Sequence, residues 1–285
     1  MNYQKVKLGP GLHFVGTPIG TARDITLRAL DVLASADLIA AEDTRSLRHL
    51  MDIHGIPLGG RQVIAYHDHS GPGVRAKLVE AMAAGQSVAY ASEAGMPLIA
   101  DPGYDLSRAV AEAGHPVTTA PGPSALLTAL TLAGLPTDAF FFAGFLPNAT
   151  GARKGRLEEL KAVPGTLVFY ESPKRVAASL ADMAGVLGGE RPAALCRELT
   201  KKFEEVRRGT LDELAQSVTE APPKGEIVLV VDRGRSEKIS ESDVEEDLRR
   251  ALEDNSLRDA ADIVARMHDL PRRKVYQMAL NLGKD

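Results

Sequence analysis

The most constraining feature of this chain is an alternation, over its first 120 residues, of short apolar runs with longer amphipathic stretches. Residues 12–15, 38–41, 63–66, 88–91 and 117–119 read as strands, too short for helices and mostly apolar, as strands covered on both faces are. Between them Ile25, Leu27, Leu30, Val32 and Leu33 fall largely on one helical face. Further helices are expected around 46–51, 74–84, 106–113 and 124–133. Strands alternating with helices predict parallel βαβ units and therefore an α/β fold. In such a sheet, ligands bind outside the carboxyl ends of the strands.

The breaker run Gly134-Leu135-Pro136 closes this unit, which is expected to span residues 1–136. A second α/β domain over 137–234 has strand candidates at 139–145, 166–170, 193–196, 204–208 and 227–231, and a helix at 176–187. Polar residues 233–241 read as a linker. The tail, 235–285, carries helical patterns at 244–252, 257–267 and 275–280. The last two flank the turn Asp269-Leu270-Pro271, with Arg272, Arg273 and Lys274 opening the final helix, in the manner of a small helix-turn-helix.

Composition narrows the function classes. A net charge of −4 gives no global attraction to a polyanion, so any nucleic-acid contact must come from local basic patches. Tryptophan is absent and aromatics make up 5% of the chain, which argues against an aromatic stacking surface. The single cysteine, Cys196, allows no internal disulfide and no cysteine zinc cage, and its apolar neighbours mark it as a buried strand residue. Residues 1–10 lack the apolar core of a signal peptide, and no apolar stretch reaches membrane-spanning length. The expectation is a cytoplasmic protein without membrane partners.

Five loops fall where strand carboxyl ends should lie. Gly16-Thr17-Pro18-Ile19-Gly20 is a tight turn rather than the dinucleotide fingerprint, because Pro18 interrupts only two glycines. In Ala41-Glu42-Asp43-Thr44-Arg45, helix capping explains one carboxylate but not Glu42, Asp43 and Arg45 together. In Tyr66-His67-Asp68-His69-Ser70 the two histidines share a side of an extended segment, yet no third ligand stands nearby, so no metal is expected. The run from Ser92 to Gly103 is long for a connector and carries Glu93, Asp101 and two Gly/Pro pairs. Pro121-Gly122-Pro123-Ser124-Ala125 opens a helix, where backbone N–H groups suit a polar ligand.

In this order the motifs resemble the ribosomal RNA small subunit methyltransferase I family, a branch of the tetrapyrrole (corrin/porphyrin) methylase superfamily. The resemblance rests on Thr17-Pro18-Ile19-Gly20, Asp24-Ile25-Thr26, Glu42-Asp43-Thr44-Arg45, His67-Asp68-His69, Pro97-Leu98-Ile99, Asp101-Pro102-Gly103-Tyr104 and Pro121-Gly122-Pro123. It continues through Phe169-Tyr170-Glu171-Ser172, Arg197-Glu198-Leu199-Thr200-Lys201 and Lys224-Gly225-Glu226. It implies a parallel-sheet N-terminal domain, a mixed-sheet second domain and a small helical tail, with S-adenosylmethionine held between the two α/β domains. It further implies methylation of the ribose 2′-hydroxyl of a cytidine in the decoding region of 16S rRNA, the 30S subunit as partner, and a homodimer. A tetrapyrrole C-methyltransferase and a non-catalytic RNA-binding module of the same fold are the alternatives.

By the same resemblance Gly95, Met96 and Pro97 occupy the cofactor loop, followed by Ile99 and Ala100. Ser124 and Ala125 form another contact, and Pro18, Tyr170 and Leu199 further walls. This chain departs from the family pattern at Thr21-Ala22, where Asn-Leu is usual, and at Glu93 and Met96, where Asp and Thr are usual. A ribose hydroxyl must lose its proton to attack a methyl group. Asp43, His67, Glu93 and His69 are the candidate general bases. RNA is expected to meet Arg45, Arg48, Lys174, Arg175, Lys201 and Lys202, with Arg272, Arg273 and Lys274 as a tail contact.

Overall fold

The computed structural model describes residues 2–67, 70–234, 241–267 and 270–282. They form two compact units, residues 1–233 and 234–285.

The first unit begins with a five-stranded sheet of β1 (Gly11–Val15), β2 (Leu38–Ala41), β3 (Val63–Ala65), β4 (Ser87–Ala91) and β5 (Val117–Ala120), in the order β3-β2-β4-β1-β5. Every pairing is parallel. Parallel strands need crossovers, and these are α1 (Leu27–Ser35), α2 (Thr44–Ile53), α3 (Pro72–Ala83) and α4 (Tyr104–Glu112). The central strands are apolar on both sides because both faces are covered. Val15, Ile39, Ala89 and Ala91 pack with Leu30, Leu33 and Leu47 on one face, and Leu12, Val88 and Tyr90 with Leu78 and Leu106 on the other. Local chemistry sets the helix starts: Thr26 caps α1 by accepting from the Ala29 N–H, and Pro72 opens α3.

After α5 (Ala125–Ala133), which ends at left-handed Gly134, a second sheet comprises β6 (Phe140–Phe145), β7 (Thr166–Glu171), β8 (Pro192–Arg197), β9 (Glu205–Thr210) and β10 (Ile227–Val231). Its order is β6-β7-β10-β8-β9. Only β6 and β7 run parallel, so the sheet is mixed, as the family resemblance implies. One face packs on α6 (Thr150–Lys161), α7 (Val176–Leu187) and α8 (Leu211–Glu220). The other packs on α5, where Leu126, Ala129 and Leu130 meet Val168, Ala194, Cys196 and Val228. Helix α5 thus belongs to the core of the second sheet although it follows the last strand of the first.

Two helices are absent from the sequence reading. Helix α6 carries two glycines and a largely charged surface, so only Leu157, Leu160 and Arg153 mark its buried face. Helix α8 does have a legible start, since Thr210 and Glu213 form a reciprocal capping box.

The second unit holds α9 (Glu241–Asp254), α10 (Leu257–Met267) and α11 (Arg272–Leu282) around Val244, Leu248, Ala261, Val264, Val275 and Ala279. Arg272, Arg273 and Lys274 lie exposed in the first turn of α11, with Arg272 paired to Asp262. Asp269, placed in the turn before α11 by the sequence reading, lies outside the described residues.

Candidate active site

Because the strands of the first sheet are parallel, the loops after β1, β2, β4 and β5 all leave one rim. Facing that rim are the carboxyl ends of β6 and β7 and the amino end of β10, which meet because β10 runs antiparallel to β7. The space between is a cleft of about 520 Å³ lined by residues of both sheets, a size typical of small-molecule sites.

Backbone contacts weld the loops of the first sheet together. Thr17 and Gly95 exchange both backbone hydrogen bonds, at 2.9 and 3.1 Å, tying the β1 loop to the β4 loop. Gly16 and Gly122 abut so closely that a Cβ on Gly16 would stand 2.7 Å from the Gly122 Cα and 2.8 Å from the Met96 sulfur. The Gly122 N–H donates to that sulfur at 3.1 Å. Met96 therefore supplies the acceptor where the family pattern has a hydroxyl. Thr21, the other side of the family mismatch, donates its hydroxyl to the Thr200 carbonyl at 2.6 Å and its N–H to the Thr200 hydroxyl at 3.2 Å. The β1 loop is thereby joined to the loop that follows β8.

Strain is concentrated in the same place. Among the described residues, Leu98, Ala100, Glu198 and Thr200 are the non-glycine residues with left-handed φ, at 71°, 60°, 50° and 62°. All four lie in the two loops bordering the cleft. Such backbone costs energy and persists where surrounding contacts over-determine it, commonly at ligand sites.

The lining is acidic. Among the described residues, Glu42, Glu93, Asp101, Glu171 and Glu226 border the cleft, against one cation, Lys201. Burial opposes the charge on Lys201, but Glu226 and Glu198, 3.0 and 3.2 Å from its ammonium, outweigh that and hold it above the ordinary lysine range. Glu171 is buried and accepts from the Ser179 hydroxyl at 2.5 Å and the Ser172 N–H at 2.8 Å. Burial, with the nearby Asp101 and Glu226 charges, pushes the Tyr170 phenol up against opposing contacts from Leu126 and Ser124. Ser124 sits at the N-cap of α5 without capping it, which leaves its hydroxyl to face Tyr170.

Of the expected cofactor residues, Pro18, Gly95, Met96, Ile99, Ala100, Ser124, Ala125 and Tyr170 line the cleft. Pro97 and Leu199 lie beneath the lining. Both are buried, and Leu199 packs in the apolar cluster with Ile19, Leu126 and Val228. Of the candidate bases, Glu93 lines the cleft. Asp43 caps α2, accepting from the Arg45 and Ser46 N–H groups at 2.7 and 3.0 Å, and these bonds hold its carboxyl below the ordinary aspartate range. His67 is exposed on the loop after β3, away from the lining; Asp68 and His69 lie outside the described residues. Among the described residues no group of three potential ligands is placed to hold a metal ion.

Glu42 is the residue that sequence reasoning undervalued. Once Asp43 is the cap, Glu42 is the carboxylate left over. It lines the cleft and accepts the Glu93 N–H at 3.1 Å. Of the expected RNA contacts, Arg45, Arg48, Lys174 and Lys202 are exposed. Arg175 is instead turned inward, to Glu171 and the Leu146 carbonyl, and Lys201 is committed to its two carboxylates.

Comparison with known proteins places this geometry. Residues 11–215 match the family model of the Tetrapyrrole (Corrin/Porphyrin) Methylases, and residues 239–283 match the RsmI C-terminal HTH domain. The chain is 49% identical to the ribosomal RNA small subunit methyltransferase I of Mesorhizobium japonicum, covering 96% of this chain and 93% of that one. It is 44% identical to the Vibrio cholerae protein of the same name, covering 96% of each. Among solved structures, the uroporphyrin-III-C-methyltransferase of Thermus thermophilus shares the fold, with a TM-score of 0.53 at 22% identity over 79% of this chain and 92% of that one. A diphthine synthase does so with a TM-score of 0.60 at 14% identity, over 78% and 89%. The two-sheet fold is thus a shared scaffold, and by its matched residues and its identity to these relatives the chain belongs to the tetrapyrrole methylase family, in its ribosomal RNA small subunit methyltransferase I branch.

Proposed function

We propose that this protein methylates small-subunit ribosomal RNA, transferring the methyl group of S-adenosylmethionine to the ribose 2′-hydroxyl of a cytidine in the decoding region. The observation that carries the reading is the cleft itself. It is large enough for a nucleoside-sized cofactor, and its five carboxylates against one lysine suit a ligand bearing a sulfonium and an ammonium. Ile99, Ala100, Ala125 and Val228 offer apolar walls for a purine, beside the left-handed backbone of Leu98 and Ala100.

When bound, S-adenosylmethionine supplies an electrophilic methyl group, so the protein's task is to align the ribose oxygen and to take its proton. Glu93 is the proton acceptor in this reading, since of the candidate bases it lines the cleft. Glu42 positions it by holding its backbone N–H. The acidic lining also repels phosphate, so the RNA backbone stays at the rim, where Arg45, Arg48, Lys174 and Lys202 are exposed, and only a nucleoside enters. The basic first turn of α11 is a further RNA contact, the assembled 30S subunit the substrate, and the working form a homodimer.

The test is transfer of label from tritiated S-adenosylmethionine into 30S subunits lacking the modification, followed by mapping of the labelled nucleotide. Label in a 2′-O-methylcytidine is expected. Label in a tetrapyrrole instead, or in nothing, would overturn the reading. Arg45→Ala is expected to weaken methylation of the RNA while cofactor affinity, read by calorimetry, is unchanged. Glu93→Gln is expected to lower kcat with little change in KM.

A further inference from the structure

We propose that Phe145 is the platform on which the base of the target nucleotide stacks while its ribose is methylated. The inference rests on RNA being the substrate and adds where the base lies.

A register slip in β6 places the ring. β6 and β7 pair in parallel, Phe140 with Thr166, Phe141 with Leu167 and Phe142 with Val168. Between Phe142 and Gly144 the register shifts, and pairing resumes with Gly144 beside Phe169 and Phe145 beside Tyr170. Ala143 is the extra residue, and Gly144 takes a φ of 66° that accommodates the bulge. In an unbroken register Gly144 would stand beside Tyr170, and the cleft would carry no side chain there. The bulge replaces that gap with a phenyl ring.

The ring is held rather than loose. Phe145 meets Tyr170 edge-on with centroids 5.7 Å apart, and Tyr170 meets Phe142 in the same manner at 4.9 Å. The three rings form a ladder from the apolar core under α5 to the mouth of the cleft. Phe142 packs on the core, Tyr170 is partly buried, and Phe145 is 56% exposed while lining the cleft. Its free face is an apolar surface beside an acidic pocket that repels phosphate, and an unstacked base is the part of a nucleotide that fits it. The loop read as holding the cofactor, 94–101, belongs to the opposite wall, while Ser124, Ala125 and Tyr170 lie on the side of Phe145 but are less exposed than it is. Phe145, the exposed end of the ladder, therefore faces the ligand that arrives at the mouth.

Steady-state methylation of unmodified 30S subunits by Phe145→Ala, Phe145→Leu and Phe145→Tyr tests this. Loss of one stacking face predicts a rise of roughly 10- to 100-fold in KM for the RNA in the alanine variant, with tyrosine restoring it to within about threefold. Leucine is expected to resemble alanine, because it supplies apolar area without a π-face. Cofactor affinity by calorimetry and mass by sedimentation are expected to match wild type in all three. An unchanged KM in Phe145→Ala, or leucine serving as well as tyrosine, overturns the proposal. So does a parallel loss of cofactor affinity, which would assign the ring to the cofactor, or a change of mass, which would assign it to a subunit contact. If the wild-type protein itself leaves the RNA unlabelled, the functional reading fails, and this one with it.

Discussion

Replacing Gly16 with alanine tests whether the cleft depends on backbone-to-backbone contact between the β1 and β5 loops. Gly16 has no left-handed φ, so the added methyl acts by volume alone. Its Cβ would lie 2.7 Å from both the N and Cα of Gly122 and 2.8 Å from the Met96 sulfur. Carbon atoms rest about 3.5–4.0 Å apart, so the loops must separate by about 1 Å. Overpacking of this kind costs about 1–3 kcal/mol, which for a unit of this size lowers the unfolding midpoint by roughly 2–10 °C. The functional loss is expected to be larger, because a misplacement of about 1 Å in a positioning site costs about 100-fold in rate. Thermal unfolding, cofactor calorimetry and methyl transfer separate the two effects. Adding Met96→Ala is expected to recover little, since the Gly122 backbone contact remains. Gly73→Ala is the control: it sits in α3 with nothing within 4 Å of its Cβ, and is expected to be neutral or stabilising by up to about 1 kcal/mol. A Gly16→Ala protein with wild-type midpoint, cofactor affinity and turnover would refute the reasoning.

Three further outcomes follow from other parts of the fold. Arg153 is buried in α6 with its Nε and Nη2 at 2.7 and 2.6 Å from Asp182, so Asp182→Ala strands a charge; a loss of about 3–5 kcal/mol in urea unfolding is expected, and a loss near zero would show the pair to be dispensable. Burial pushes the Cys196 thiol up to about 11, with Glu204 adding to the shift and Arg208 opposing it. Iodoacetamide at pH 8 should therefore label it only as fast as the protein unfolds, and rapid labelling of the folded protein would contradict its placement. The Asp43 carboxyl is held down by the Ser46 and Arg45 N–H groups, so its ionised form stabilises the fold above the unfolded pKa, and that contribution is lost as pH falls through the lower folded value. Asp43→Asn keeps a capping oxygen without the charge, so its deficit in unfolding midpoint should be present at pH 7 and vanish on the acid side of the ordinary carboxylate range; a constant deficit would mean that charge is irrelevant there.

The parallel half of the fold is legible because burial on both faces removes ambiguity. Residues 38–41 are Leu-Ile-Ala-Ala and all buried, and a run that short and apolar has few other solutions. In the second sheet the strands are visible but their directions are not. A continuous apolar run marks a buried strand without saying which way it runs, so nothing in residues 227–231 shows that β10 lies antiparallel between β7 and β8. Even so, Cys196 reads correctly as a small buried strand residue from its neighbours alone.

The rim of the cleft is legible for the same reason as the sheet, since parallel strands send their loops to one edge. The detail within it depends on properties that residue type does not carry. Leucine, alanine, glutamate and threonine give no warning of a left-handed φ, so the strain at Leu98, Ala100, Glu198 and Thr200 is visible only in the fold. Adjacent carboxylates hide which one is the cap, and only the bonds to Asp43 release Glu42 for the cleft. Composition likewise counts rings without placing them. Aromatics are few, which argued against a stacking surface, yet one bulge in β6 is enough to carry Phe145 to the mouth of the cleft. A single-nucleotide site needs one stacking face, not a platform of many. Scarcity of aromatics therefore bears on proteins that track a strand and is silent about an enzyme that admits one nucleoside at a time.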